Sequence, residues 1–437
     1  MQAVLASSRS TPTNAMHPAR THSANGSLNR ALQAREAVLL TFCDPLPAEY
    51  TRLLHLSRKE WQELLRWLDT SGLALYFFDR LEELGVLETL PMVVLTRLQQ
   101  NLADNSERIK AMIAESVAIQ HRFQDAGLSY AVLKGFSLWP LSVPKLELRT
   151  QLDLDFLMEE DGANEARHIL EEFGYRMHAI SGKSWEFKAG EHWPPSLDNL
   201  YKAGVSRSAE LHLESPDRSG FSRLSRTQKR QFHGVLMPIL SPLDLFLGQG
   251  LHLYKHVCSP CARTAHMIEF RRHVVARFED DAFWAQLQQQ VSNDPKTSMR
   301  LGVVILLISR TMGRFAPHAL SCWTVDHLPE NARLWVDLYG RRSALASFPG
   351  SKLYLLLENE LESEGMVARR SLRQALLPHR LPPAIAHVVE GENYYVRLNR
   401  YYWQLRFIFF RLRFHLVEGV RYLYELIFWR QYRNDPK

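Results

Sequence analysis

Cysteines are few, long apolar runs are missing, and the common nucleotide-binding and hydrolase fingerprints are not there. Four cysteines in 437 residues, Cys43, Cys258, Cys261 and Cys322, are too scattered for a disulfide framework. A reducing compartment is the simpler expectation, and a cytoplasmic location follows from it. No uninterrupted apolar stretch is long enough to span a bilayer, and the opening residues MQAVLASSRS lack the apolar centre of a signal peptide. The absence of a Gly-x-Ser-x-Gly elbow argues against Ser-His-Asp hydrolysis, and there is neither a P-loop nor a Gly-x-Gly-x-x-Gly turn. No acidic residue precedes Glu36. Residues 1–35 are rich in Ser, Ala, Thr, Asn and Arg, so a disordered tail is expected. An organelle transit peptide shares the same profile.

What is present is the composition of a folded protein, with a net charge of +6 that suits an anionic partner such as a nucleotide, nucleic acid or membrane surface. Helical spacing dominates residues 36–126. Ser57 and Glu60 form a capping pattern ahead of Trp61, Leu64, Leu65 and Leu68, and Gly72 and Gly85 are stop signals. An amphipathic helix is expected over 101–126, with Ile109, Met112, Ile113, Val117 and Phe123 on one stripe. Residues 127–240 then change character. Tyr130 to Leu133 reads as a buried strand, 162–173 as a helix, and 175–180, 185–188 and 199–203 as short strands. From Ser241-Pro242 onward, helices are expected over 243–256, 262–278, 280–291, 298–312 and 330–346, forming a region 241–346. A C-terminal region 347–437 ends in a helix-like stretch, Tyr394 to Tyr432, that interleaves arginine with aromatic residues.

The chemistry concentrates in residues 129–159. Lys134-Gly135-Phe136-Ser137 is a turn with one glycine, Arg149 follows, and then come Asp153-Leu154-Asp155. Aspartates at i and i+2 on a strand share a face, roughly 7 Å apart along the chain, with Leu152, Leu154 and Phe156 on the other face. Two adjacent carboxylates repel unless a cation neutralises them, and hard oxygen donors suit Mg²⁺. A second alternating segment, Ala209 to Glu214, places Glu210, His212 and Glu214 on one face.

A Gly-x-Ser turn, an arginine and an Asp-x-Asp strand resemble the core of the DNA polymerase beta-like nucleotidyltransferase superfamily. The finer pattern, Leu133-Lys134-Gly135 with Arg149-x-x-x-Asp153-x-Asp155, is similar to bacterial nucleotidyltransferases of unassigned substrate. The resemblance covers roughly residues 105–310, with its sharp motifs in 131–159 and 208–214. It implies an α+β fold: a small mixed β-sheet as catalytic core, helices before it and a mostly helical C-terminal region. It also implies an enzyme that moves an NMP group from an NTP such as ATP to a hydroxylated acceptor, releasing pyrophosphate, with two Mg²⁺ ions. Asp153, Asp155 and Glu210 would bind the metal, Glu210 standing where the family usually has Asp. Lys134, Gly135, Ser137 and Arg149 would hold phosphates, although Phe136 separates what the superfamily presents as adjacent small residues.

The run HLYKHVCSPCARTAH carries His252, His256, Cys258, Cys261 and His266. Three readings stay open here: a zinc site, a polar helix face turning into a loop, or a helix that faces substrate with His252, Lys255 and His256 beside His212, Arg263 and His266 being lesser candidates. Three readings also stay open for the C-terminal stretch: packing on the body, nucleic-acid stacking, or peripheral contact of 394–437 with an anionic membrane. The acceptor class (small molecule, peptide or protein, or RNA) is open as well. The alternative to catalysis is a weak or inactive membrane-peripheral accessory protein of a surface-polysaccharide or peptide-modification pathway. A toxin- or resistance-like transferase is a third reading.

Overall fold

Residues 24–190, 197–203, 207–215, 222–259, 263–347, 349–363, 372–376 and 394–434 are described by the structure, a computed structural model. Its centre is a mixed sheet of seven strands in the order β3-β4-β5-β2-β1-β7-β6. These are β1 (Tyr130–Leu133), β2 (Leu154–Glu159), β3 (Arg176–Ser181), β4 (Ser184–Ala189), β5 (Arg207–Glu214), β6 (Gln228–Phe232) and β7 (Val235–Ile239). β1 runs antiparallel to β2 and parallel to β7, and β2 runs parallel to β5, pairing Asp155 with Glu210. The expected α+β fold with a mixed sheet and flanking helices is what forms.

Helices α1 (Ala24–Leu40), α2 (Arg58–Ser71), α3 (Ala74–Glu83) and α4 (Met92–Asp125) precede the sheet. α1 starts inside the segment expected to be disordered, because Ala34, Ala37, Val38 and Leu39 are buried and give it a face to dock. The α2 start is a complete capping box between Ser57 and Glu60, and Gly72 closes the helix in the left-handed conformation. α4 is longer than the sequence pattern indicates and lays Ile109, Ile119 and Phe123 against the sheet. Phe123 meets Tyr130 and Phe156 edge-on, with ring centroids 5.2 and 5.3 Å away. Such pairs contribute about 0.5–1.5 kcal/mol beyond area burial. α5 (Ala163–Glu172) adds Ala166, Ile169 and Leu170 to the same core.

Three local expectations are corrected. Residues 199–203 are not a strand: Leu197–Asn199 is a 3-10 turn, the Leu200 carbonyl accepts from Arg108, and the Tyr201 hydroxyl donates to Asp69 at 2.8 Å. Leu152 does not join the apolar face of β2 but is 44% exposed. Asp153 stands one residue ahead of β2, so only Asp155 of the pair is in the strand.

After the sheet come α6 (Pro242–Val257), α7 (Ala265–Ala276), α8 (Asp281–Val291) and α9 (Pro295–Met312). Ser241 caps α6 through the Asp244 amide, with Pro242 in the first turn. These helices share one apolar core with those before the sheet, from Leu64, Leu68 and Phe77 through Phe246, Trp284 and Val304 to Leu356, Tyr422 and Trp429. The last two belong to the C-terminal helix Tyr394–Asn434. No helix among the described residues is long and apolar enough to cross a membrane.

Candidate active site

The turn after β1 sets the site. Lys134 has φ +46° and ψ −148°, a conformation that costs a non-glycine residue of order 1–3 kcal/mol. Gly135 follows at φ +34°, and a Cβ there would lie 2.4 Å from Gln151 Nε2. Glycine therefore lets the Gln151 carboxamide pack over the turn, and Gln151 Nε2 donates to the Asp153 carbonyl at 2.9 Å. The strained turn and the loop into β2 are thereby fastened together.

The result is a compact charge cluster. Lys134 Nζ donates to Asp155 Oδ1 at 2.7 Å, and His212 Nε2 stands 2.8 Å from the same oxygen. Glu210 Oε2 is 3.3 Å from His212 Nε2. Ligand atoms of Asp155, Glu210 and His212 all lie within 4.8 Å of one another. Burial would raise the pKa of Asp155, but His212 and Lys134 outweigh it and hold the carboxyl below its usual range. Asp153 goes the other way: burial, then the neighbouring charge of Asp155, push it up to about 6. His212 loses by burial but gains more from Asp155 and Glu210, so its pKa rises.

A cavity of about 220 Å³ opens beside this cluster. Lys134 and His212 belong to both. Its other polar walls are Arg149, Arg223, Gln249, His252, His266 and Glu269. Arg149 is buried and its Nε donates to Glu269 Oε1 at 3.1 Å, which keeps its pKa raised. Gly135 and Ser137 do not line the cavity. Ser137 is fully buried and its hydroxyl donates to the Lys134 carbonyl at 2.7 Å, while Arg230 donates to the Ser137 carbonyl at 3.0 Å. Lys255 is exposed on α6 and is not part of the wall.

α6 and α7 bring three imidazoles together. Ligand nitrogens of His252, His256 and His266 lie within 4.8 Å of one another, with His252 Nε2 and His256 Nε2 3.1 Å apart. Burial lowers the pKa of His252 to about 2 and that of His266 to about 4, so both rings stay neutral. Cys258 is buried at the end of α6, and Cys261 lies outside the described residues.

Residues 57–312 match the family model described as "Uncharacterised nucleotidyltransferase". The chain belongs to this family. A search of curated protein sequences finds no match. Among solved structures, an antigenic nucleotidyltransferase-like protein from Paracoccidioides brasiliensis matches with a TM-score of 0.29 and 15% identity, over 49% of this chain and 97% of its own. That likeness is too slight to argue from. The matched span contains the charge cluster, the cavity and the three histidines.

Nucleotidyltransferases generally work with a divalent cation, and the donor set here fits one. Asp155 and Glu210 supply hard oxygens beside the His212 ring, and Asp153, just ahead of β2, is a carboxylate whose pKa is raised first by burial and then by the charge of Asp155. Gln151, Arg223, Gln249 and Glu269 were not singled out in the sequence. Gln151 fills the space left by Gly135. Glu269 anchors Arg149 and His266, and accepts from the Tyr76 hydroxyl at 3.0 Å. A signal for Glu269 was available: it follows His266 by three residues, so both lie on one helix face.

Proposed function

We propose that the protein moves an NMP group from an NTP onto a hydroxyl-bearing acceptor, with release of pyrophosphate. The observation that carries this reading is the group Asp155, Glu210 and His212, with Asp153 just ahead of β2, beside a cavity walled by Lys134, Arg149 and Arg223. Mg²⁺ bound by the three carboxylates would offset negative charge at the α-phosphate and lower the pKa of the acceptor hydroxyl. The chain's own residues do the rest. Lys134 exchanges its ion pair with Asp155 for the triphosphate, which frees the Asp155 oxygen as a ligand. Arg149, fixed by Glu269, and Arg223 supply stationary positive charge along the phosphates. Glu210 takes the acceptor proton. Asp153→Asn and Asp155→Asn should each remove NTP turnover while leaving the fold intact by circular dichroism; turnover unchanged in both contradicts the assignment.

A second reading adds a location. The C-terminal helix Tyr394–Asn434 carries eight arginines against two glutamates, which accounts for the whole net charge of +6. It exposes Tyr395, Trp403, Leu405, Phe409 and Val420, while Tyr422 and Trp429 are buried in the body. Exposed rings and arginines on one anchored helix suit an anionic membrane surface. Binding to vesicles of mixed neutral and anionic lipid, weakened when Arg397, Arg406 and Arg413 become Gln, supports this. Equal binding to purely neutral vesicles counts against it.

A further inference from the structure

We infer that His252, His256 and His266 form a binding site for a single zinc ion on the wall of the nucleotide cavity, separate from the carboxylate cluster. The inference does not rest on NMP transfer; it rests on how the three rings are held. His252 and His256 are one turn apart on α6, and His266 comes from the first turn of α7. Two nitrogens on one tetrahedral zinc, each bonded at about 2.0–2.1 Å, stand about 3.3–3.4 Å apart. The 3.1 Å between His252 Nε2 and His256 Nε2 is close to that separation, and the third ring joins them within 4.8 Å.

Ring orientation supports the same conclusion. His266 Nδ1 is 3.2 Å from Glu269 Oε2, so Nδ1 carries the proton and Nε2 is left as the donor atom. Glu269 is in turn fixed by Arg149 and Tyr76. A carboxylate behind a ligating imidazole fixes its tautomer and strengthens it as a ligand.

The donor set selects the cation. Imidazole nitrogens suit zinc and its neighbours among the transition metals, whereas Mg²⁺ prefers the oxygens of Asp153, Asp155 and Glu210. His252 and His266 both line the cavity, so an ion held by the three rings would stand at its wall. The positive charge of Arg149 next door is balanced by Glu269.

The full-length chain, stripped with a chelator, should be titrated with Zn²⁺ and separately with Co²⁺. The expected result is one equivalent bound, with the visible absorption of four-coordinate Co²⁺ and a rise in melting temperature with Zn²⁺. His256→Gln, at a half-buried ring, and the double variant His252→Gln/His266→Gln should lose the absorption and the thermal shift. Asp155→Asn should keep both, which separates this site from the carboxylate cluster. Circular dichroism and the metal-free melting temperature establish that each variant folds, and His256→Gln decides the matter if the double variant does not. No uptake by the wild-type chain, equal uptake by wild type and His256→Gln, or loss of uptake in Asp155→Asn overturns the inference.

Discussion

Two groups of ligating side chains adjoin one cavity, reaching its wall through His212 in the first and through His252 and His266 in the second, and they are neutralised in opposite ways. In the carboxylate cluster, Lys134 and His212 converge on a single oxygen of Asp155, and Asp153 is left with its pKa raised to about 6. In the imidazole cluster, burial keeps His252 and His266 uncharged and Glu269 only orients one of them. The first group is short of positive charge and attracts a hard cation by Coulomb forces. The second offers lone pairs and little charge, so it discriminates by donor softness. Charge compensation, more than proximity, thus tells the two sites apart.

The largest expected effect breaks the first group. Asp155→Asn should lower NTP turnover by on the order of 10³-fold, since the cation's contribution is worth several kcal/mol and each 1.36 kcal/mol is tenfold. Steady-state pyrophosphate release measures it. Zn²⁺ uptake should be unaffected in the same protein, which makes the variant a test of independence.

Gly135→Ala comes next. It adds a Cβ where Gln151 already sits, at a positive φ, so destabilisation beyond about 1 kcal/mol is expected, together with a loss of turnover. Chemical denaturation and pyrophosphate release read the two effects. Gln151→Gly in the same chain should restore part of the stability, and no recovery would show that backbone strain alone is responsible.

The pH dependence sharpens the contrast through Asp153. Its folded pKa, about 6, lies above its ordinary value of 3.8, so the folded state binds the proton more tightly than the unfolded chain. The metal-free protein is therefore penalised by this group as pH rises from about 4 through 6, and the penalty is absent at lower pH. Asp153→Asn should melt higher than wild type, by a margin that widens between pH 5 and pH 7.5. Mn²⁺ should narrow that margin, and melting curves at the two pH values settle it. His252 is neutral at both pH values, so His252→Gln should show no such widening.

The smallest effect concerns Ser137. With its hydroxyl donating to the Lys134 carbonyl, Ser137→Ala should cost about 1 kcal/mol of stability and leave the KM for NTP within a few-fold. A rise in KM of tenfold or more with unchanged stability would instead favour phosphate contact.

The legible parts of the structure were those written in local pattern. β1, the alternation of Ala209 to Glu214, the Ser57 capping box and the Ser241-Pro242 helix start all appear where the spacing places them. The adjacency of Asp155 and Glu210 was legible through the resemblance, which puts a third carboxylate on a later strand beside the Asp-x-Asp strand; alternation alone showed only which residues share a face. The hairpin of β6 and β7 was not. Gln228–Phe232 is an edge strand with polar residues on both faces, and its two-residue turn, His233-Gly234, puts a non-glycine residue at positive φ. Glu269 was also hidden, since its partners Arg149 and Tyr76 lie 120 and 193 residues away in the chain. The strand expected at 199–203 failed because Arg108 and Asp69 claim the polar groups of Leu200 and Tyr201 that would otherwise be free.

The central claim is that the carboxylate cluster directs attack at the α-phosphate of an NTP. The most direct measurement incubates the protein and cell lysate with NTP labelled at either the α- or the γ-phosphate. The predicted result is an acceptor labelled only from the α-phosphate, with γ-label appearing in pyrophosphate, and neither product in Asp155→Asn. An acceptor labelled from the γ-phosphate, or α-labelling that persists undiminished in Asp155→Asn, contradicts it.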